Sequence, residues 1–298
     1  MEFLMTSTLN GIIYGMLLFM VSAGLTLIFG MMGVLNFAHA SFYMLGAYLG
    51  YTLSGIFNFW VGLLVAPLLV GAVGVLIERF MLRRVHRHGH AHELLLTFGI
   101  ALVCEELIKL FYGDFPVNYR MPAELNFAAF TLFGTNYPFY RVFIGAVALA
   151  MFLALSLLLT RTRIGIIVRG AERLPKMAEA LGHNVPLVFM GVFGTGAALA
   201  GLAGAVAGAF FPTNPNMAID LGVIVFVVVV VGGLGSLAGS LVASLLIGIF
   251  TSFAVGLNWS LAGLLSGVGL GDWARGVGGL VTMTLSSISG TVPFLLML

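Results

Sequence analysis

Two polar side chains, Asn36 and His39, lie close together in an otherwise apolar stretch of the sequence. Such groups are costly inside a membrane unless they face protein or water, and they then often line the path of a solute. In one interpretation they hydrogen-bond a zwitterion or an amide as it passes. In the other they bond backbone groups that a broken helix leaves without partners. The residues alone do not decide between the two.

Three charged residues, Glu105, Glu106 and Lys109, are spaced so that Lys109 follows the two carboxylates by four and three positions. On a helix, these spacings allow either carboxylate to pair with the ammonium along one face. A carboxylate within a membrane helix is also a candidate for proton coupling. That role needs an acid near the middle of the bilayer, whereas this group lies towards one end of its apolar segment. We therefore expect local ion pairing.

Four histidines alternate with other residues between positions 86 and 92, and such tracts sometimes bind metal. Their spacing matches no defined zinc site, so we expect a solvated basic loop at an anionic membrane surface and no bound metal. Cys104 is the single cysteine, which excludes a disulfide framework. The sequence has no G-x-x-x-x-G-K-[ST] phosphate loop and no nucleophile–base pair within an apolar segment. We expect no catalytic residue, no cofactor on this chain and no enzyme activity.

Composition places these residues in a membrane protein. Hydrophobic residues make up 60% of the 298 and charged residues 8%, against about 25% charged residues in soluble domains. The apolar stretches are continuous, whereas a transmembrane barrel would show short alternating segments. We predict an all-α polytopic membrane protein, a single domain over residues 1–298 with about nine transmembrane helices and a range of about eight to ten. The predicted spans are residues 9–29, 37–53, 59–77, 94–111, 138–159, 185–211, 219–231, 237–257 and 277–298, of which the second and seventh are short enough to be half-helices.

The basic residues predict the topology. Nine of the thirteen Lys and Arg residues lie in two segments, at about 78–93 and 161–184. Cytoplasmic loops are enriched in these residues, so both segments are predicted to be cytoplasmic. Counting spans then places the N-terminus and the irregular, aromatic loop 113–137 in the periplasm, and the C-terminus in the cytoplasm. No basic stretch precedes the first span, so we expect that span to be retained.

Glycine is abundant, with 40 residues, and the pattern G-x-x-x-G recurs in several spans. Small residues let membrane helices approach closely, so this pattern predicts a tightly packed bundle. Two motifs, Gly30-Met-Met-Gly33 and Gly232-Gly-Leu-Gly235, precede similar small-residue stretches. Transporters are often built from two related halves with broken helices near the solute path, which favours a two-fold internal pseudo-repeat. The abundance of glycine would also produce this similarity by chance.

The longest polar run is RGAERLPKMAEALGHNV, at positions 169–185. Pro175 is compatible with the first turn of a short helix, and Gly182 with its end. Met177, Ala178 and Leu181 would form a small apolar face on that helix. The two interpretations are an interfacial helix lying among lipid headgroups and a docking helix for a cytoplasmic partner.

Three stretches resemble the permeases of bacterial ABC importers for branched-chain amino acids, the hydrophobic amino acid uptake family. They are NGIIYGMLLFMVSAGLTLIFGMMGVLNFAHASFYMLGAY at 10–48, RGAERLPKMAEALGHNVPLVFMGVFGTGAALAGLAG at 169–204 and VVVVVGGLGSLAGSLVASLLIG at 227–248. The motifs occur in the order that the family has. The similarity is closer to the first of the two permease types in such systems than to the longer second type. Ala40 stands where the family usually has glycine.

The resemblance implies an ABC importer permease fold and a division of labour among subunits. Two cytoplasmic ATPase subunits would bind ATP and Mg and dock on a coupling helix at about 171–182. A second permease subunit, identical or different, would complete the channel, and a periplasmic binding protein would deliver the solute. Membrane lipid is the remaining expected partner, and nucleic acid is not one. The residues expected to dock the ATPases are Arg169, Ala171, Glu172, Arg173, Lys176, Met177, Ala178, Glu179, Leu181 and Gly182. Those expected along the translocation path are Asn36, His39, Ser41, Gly232, Gly233 and Gly235.

The solute implied by the resemblance is a branched-chain or other hydrophobic amino acid. Related permeases carry urea, short amides or aromatic acids, and no residue of the sequence decides among these solutes. An ion-coupled secondary transporter is the alternative from a different class. It would need acidic ligands for the coupling ion near the middle of the bilayer, where this sequence has almost none.

Overall fold

The computed structural model describes residues 2–132, 135–257, 284, 286–287 and 289–297, without the side chains of residues 87, 132, 135, 172 and 173. The long helices are α1 (Glu2–Met32), α2 (His39–Ile56), α3 (Phe59–Ile77), α5 (His90–Tyr112), α6 (Phe139–Arg161), α9 (Val185–Ala207), α10 (Met217–Val231) and α11 (Leu237–Gly256). The short helices are α4 (Arg83–Val85), α7 (Arg163–Arg173), α8 (Pro175–Ala180) and α12 (Val292–Leu295). A π-helical turn, Glu78–Leu82, joins α3 to α4.

Each of the first eight predicted spans overlaps one of the long helices. Five helices of the described chain are long and apolar enough to cross a membrane, namely α1, α3 with its continuation to Val85, α6, α9 and α11. The chain is therefore a mostly helical, multi-pass membrane protein. The ninth predicted span, 277–298, lies largely outside the described residues, so the count of nine and the pseudo-repeat stay predictions.

Most helix ends lie within four residues of the sequence-based bounds, and the start of α1 and the end of α9 are among those that differ. Helix α1 begins at Glu2 rather than at residue 9, because the Ser and Thr residues near its start continue the helix; Thr8 Oγ1 donates to the Leu4 carbonyl at 2.7 Å. Helix α9 ends at Ala207 rather than at residue 211. Pro212 follows shortly afterwards, and a proline disfavours helical geometry in the residue before it.

The predicted irregular loop 113–137 contains a β-hairpin, which sequence analysis missed. Strands β1 (Ala128–Leu132) and β2 (Thr135–Pro138) pair antiparallel, with Phe130 opposite Tyr137. These two rings stack with centroids 5.1 Å apart. Aromatic cross-strand pairs stabilise short ribbons, so the aromatic content of this segment supports a hairpin rather than an irregular loop.

Glycines at the helix crossings let the backbones touch, as the glycine content predicted. A Cβ on Gly11 would lie 2.6 Å from Ile249 Cα, and one on Gly46 would lie 2.5 Å from Gly201 Cα. A Cβ on Gly204 would overlap the Tyr43 carbonyl oxygen. These contacts pack α1 against α11 and α2 against α9 at distances that exclude any side chain. Van der Waals packing of this kind is what holds membrane helices together.

The two ends of the bundle differ in charge. At one end Arg83 Nη2 donates to the Pro186 carbonyl at 2.8 Å, so the two basic segments lie side by side. At the other end Arg141 bonds Asn10, which places the start of α1 beside the start of α6. This arrangement is compatible with the predicted topology. The assignment of the basic end to the cytoplasm stays a prediction.

Candidate functional site

Helices α1 and α2 are separated by a break at residues 33–38. Gly33 has a φ of 65°, a left-handed conformation that suits glycine and stops α1. Asn36 Oδ1 accepts from the Ala38 amide at 3.1 Å, and the Phe37 amide donates to Thr97 Oγ1 at 3.3 Å. Asn36 thus bonds a backbone group freed by the break, which is one of its two predicted roles.

His39 begins α2 and points across the bundle towards α1. Its Nε2 lies 2.9 Å from the Val21 carbonyl oxygen, and the residue is 1% exposed. A carbonyl only accepts hydrogen bonds, so Nε2 carries the proton, and in a neutral imidazole Nδ1 is then an acceptor. Nδ1 has no partner in the described residues, and neither does the Asn36 amide nitrogen. The break therefore offers one free donor and one free acceptor.

Both side chains line a cavity of about 580 Å³ between α2, α5, α10 and the chain near α12. Phe37 and Phe226 stack within it, with centroids 5.7 Å apart and planes 3° apart. Ala40 lies opposite Gly222, where an added Cβ would be 3.2 Å from the Ala40 Cβ. The remaining lining is mostly aliphatic. It comprises Leu25, Ser41, Phe98, Ala101, Leu102, Glu105, Ala218, Ile219, Val223, Val225, Val227, Val230, Phe294 and Met297.

Asn36, His39 and Ser41, half of the residues predicted along the path, line this cavity. The other half, Gly232, Gly233 and Gly235, forms the turn between α10 and α11 instead. Gly233 and Gly235 have φ values of 87° and 89°, which suit glycine. A Cβ on Gly30 would lie 2.8 Å from Gly235 Cα, so the two glycine motifs of the sequence touch each other beside the cavity.

The predicted pairing of Glu105, Glu106 and Lys109 is present. Lys109 Nζ lies 2.6 Å from Glu105 Oε1 and 3.1 Å from Glu106 Oε1. The Glu105 side chain is 13% exposed and lines the cavity, whereas that of Glu106 is 73% exposed. The ammonium thus compensates Glu105, the carboxylate that lines the cavity among the residues the structure describes.

The polar run 169–185 forms two helices at the basic end rather than the single one predicted. Helix α7 ends at Arg173, and α8 begins at Pro175. The break falls at Leu174, since the residue before a proline is disfavoured in helical geometry. Gly182, with a φ of 86°, ends the segment as predicted.

The predicted apolar face of α8 divides into a buried and an exposed part. Ala178 packs with Ala171 and Val185 in a small cluster that holds α7, α8 and α9 together. Met177 and Leu181 are 61% and 78% exposed. The remaining predicted docking residues are exposed where their side chains are described. Arg169, Lys176, Glu179 and Gly182 are exposed, and Arg169 Nε donates to the Gly165 carbonyl at 3.2 Å.

Several cavity residues carry no signal in the sequence. Phe37, Phe226 and Gly222 come together only because α10 packs beside the α1–α2 break. In a chain with 25 phenylalanines and 40 glycines, nothing marks these three in advance. Among the described residues, no group of three or more His, Cys, Asp or Glu side chains is arranged to hold a metal.

Comparison with known proteins identifies similar chains. The family described as branched-chain amino acid transport system / permease component matches residues 7–284. The high-affinity branched-chain amino acid transport system permease protein LivH of Escherichia coli K12 is 30% identical over 257 residues, covering 80% of this chain and 82% of that protein. The corresponding BraD protein of Pseudomonas aeruginosa is 26% identical, with 82% and 84% covered. No solved structure matches the chain.

Proposed function

This chain belongs to the family of permease components of branched-chain amino acid transport systems. We therefore propose that it is the membrane-spanning permease subunit of an ATP-driven importer. Its solutes are branched-chain amino acids, as the names of its relatives suggest. It works in the bacterial inner membrane, and no covalent chemistry takes place on the chain itself.

The observation that carries the proposal is the cavity at the α1–α2 break. Its volume of about 580 Å³ falls within the range of about 300–1,000 Å³ that small-molecule sites have. Its walls are mostly aliphatic and suit a branched side chain. The Asn36 amide is free to donate to a carboxylate, and His39 Nδ1 is free to accept from an ammonium. One donor, one acceptor and an apolar wall complement an aliphatic zwitterion.

The exposed apolar residues of α8 support coupling to a separate ATPase. Met177 and Leu181 face away from the bundle next to Lys176 and Glu179, so a cytoplasmic subunit can bury the first pair and contact the second. Two ATPase subunits, which bind ATP and Mg, dock on the segment formed by α7 and α8. Closure of the ATPases on ATP binding moves this segment and inverts the gate between the permease halves, and the solute is then released inwards. A second permease subunit and a periplasmic binding protein complete the importer.

Neither alternative is favoured by the geometry. Urea and short amides carry no aliphatic side chain, so they would leave most of the cavity wall uncovered. An ion-driven transporter needs an acid that binds and releases the coupling ion. The cavity carboxylate that is described, Glu105, is held by Lys109 at 2.6 Å.

The test is solute uptake into proteoliposomes that contain this chain with its co-purified partner subunits and binding protein. Radiolabelled leucine should accumulate only when ATP is present on the ATPase side, and unlabelled isoleucine and valine should compete whereas urea should not. Uptake that proceeds without ATP and follows a proton or sodium gradient would refute the proposal. Competition by urea alone would refute the substrate assignment and leave the importer mechanism standing.

A further inference from the structure

A second recess lies on the outer surface of the bundle, away from the α1–α2 break. It runs between the end of α3, with its π-helical turn, and α5, and has a volume of about 640 Å³. Its floor is formed by Ile100 and Cys104, which are each 8% exposed, and Leu95 and Val103 form an edge at 72% and 59% exposure. Gly99 leaves space in the middle of the groove, since a Cβ at this position would meet nothing within 4 Å.

The length of the groove matches one leaflet of a bilayer. Its lining extends along α5 from His92 to Cys104, which is about 18 Å of helix at 1.5 Å per residue. Half of the hydrocarbon core of a membrane measures about 15 Å. An acyl chain that starts at the headgroup level near His92 would therefore reach the end of the groove near the middle of the bilayer.

The mouth of the groove is basic. His92 lines it, and the His88 ring lies 5.7 Å from the His92 ring, centroid to centroid. Arg84 is exposed and directly precedes Val85, a lining residue. Among the residues described between 78 and 93, no ion pair or hydrogen bond engages the Arg84 guanidinium, which leaves it available to an anion.

Both carboxylates near the mouth are buried and bonded to neighbouring side chains. Glu78 is buried and accepts from Arg83 at 2.9 Å. Glu93 is also buried and bonds both His86 and His90. Both acids are therefore turned inwards, while Arg84 is exposed and has no ion pair among the described residues. The groove is apolar along the depth of one leaflet, and Arg84 lies next to its mouth. This combination complements a single anionic amphiphile.

We propose that this groove binds one anionic phospholipid, with an acyl chain along Gly99 and its phosphate at Arg84. The site is separate from the solute cavity and does not depend on the proposed transport function. A second protein copy is a poorer occupant for the mouth, because an identical basic segment would repel it. The lipid would fix α5 against α3 at the point where the π-helical turn interrupts regular packing.

Native mass spectrometry of the purified protein tests the site directly. The detergent-solubilised protein is mixed with phosphatidylglycerol or with phosphatidylcholine of the same acyl chains, and the fraction carrying one lipid is measured. We expect about a fivefold preference for phosphatidylglycerol, the effect of one arginine near an anionic headgroup. Equal binding of the two lipids, or binding of neither, would overturn the proposal.

Two variants separate the acyl groove from the charged mouth. Arg84→Gln should reduce phosphatidylglycerol binding to the level of phosphatidylcholine, whereas Arg161→Gln, an exposed arginine in the other basic segment, should leave the preference intact. Gly99→Phe should fill the groove and reduce binding of both lipids. Gly191→Phe is its control, since that glycine also has open space around it but lies outside the groove.

Size-exclusion chromatography shows whether each variant is folded. Unchanged lipid binding in a folded Gly99→Phe protein would exclude the groove as the acyl site. If the wild-type protein is a dimer and Gly99→Phe is a monomer with unchanged lipid binding, the occupant of the groove is a second copy of the chain instead.

Discussion

The α1–α2 break and the α7–α8 segment are both irregular, polar-rich interruptions of the bundle, yet they are built in opposite ways. Around the break, Asn36 and His39 are 1% exposed, and glycine contacts hold the surrounding helices at backbone distance. In α8 and directly after it, Met177 and Leu181 are more than half exposed. The buried region holds polar atoms without described partners on two residues that line a cavity. The exposed region directs apolar side chains outwards, where only another protein or a membrane surface can cover them.

Because the two regions are built differently, the two parts of the proposed importer should respond differently to substitution. A substitution at the break should act through packing or through solute binding, on this chain alone. A substitution on α8 should leave the fold intact and act through a partner. Four predictions, in order of decreasing effect, test that separation.

The largest effect is expected where the bundle has no room. Gly204→Ala places a Cβ over the Tyr43 carbonyl oxygen, and backbone cannot yield as a side chain would. The unfolding free energy should fall by about 3 kcal/mol or more, with loss of folded protein in detergent. Gly191→Ala, in the same helix but with open space around it, is the matched control and should be neutral or slightly stabilising. Equal thermal stability of both variants would show that α2 and α9 are farther apart at Gly204 than described.

The next effect concerns docking. Leu181→Asp removes an exposed apolar side chain from the proposed interface and puts a charge there. Burial of such a side chain contributes about 1.5–3 kcal/mol, so ATPase binding should weaken by roughly 10- to 100-fold. Co-purification of the ATPase subunits measures the loss of binding. The unfolding temperature of the variant should equal that of the wild type.

The control for docking is Phe57→Asp. Phe57 is 66% exposed and follows α2 at the end of the bundle opposite to α8. This variant should retain its ATPases. If both variants, or neither, lose the ATPases, α8 is not the docking segment.

A smaller effect is expected inside the cavity. Asn36→Ser removes the free amide nitrogen, while the serine hydroxyl still accepts from the Ala38 amide two residues on. Loss of one hydrogen bond to the solute costs about 0.5–1.5 kcal/mol, so the KM for leucine uptake should rise by roughly 3- to 10-fold. ATPase co-purification should not change. An unaltered KM in a folded variant would place the solute path elsewhere.

The smallest effect is expected at the charged cluster of α5. Glu105→Gln keeps the shape of the side chain and removes its charge, leaving Lys109 paired with Glu106 at 3.1 Å. ATP-driven uptake should stay within about twofold of the wild type, because Lys109 keeps Glu106 as its partner and the proposed mechanism uses no acid on this chain. Abolished uptake at every ATP concentration would instead support the ion-coupled mechanism.

The fold was more predictable from sequence than the site. Long apolar runs indicated the helices directly, because a membrane helix needs about 20 apolar residues and little else. The break after Gly33 and the stop at Gly182 were readable from glycine. The break at Leu174 could have been read from the proline that follows it, whereas the place of Phe130 depends on its cross-strand partner. The wall formed by Phe226 and Gly222 needs the three-dimensional packing of α10, which no local pattern encodes.

In the proposed importer, the cavity moves the solute while α8 transmits the energy of ATP. The most direct test measures leucine uptake and ATP hydrolysis together in proteoliposomes carrying the assembled importer. In Asn36→Ser, the amount of leucine moved per ATP should fall at low leucine concentration while hydrolysis continues. In Leu181→Asp, uptake and solute-stimulated hydrolysis should fall together. If Asn36→Ser lowers hydrolysis as much as uptake, or if Leu181→Asp leaves both unchanged, the two regions do not divide the work in this way.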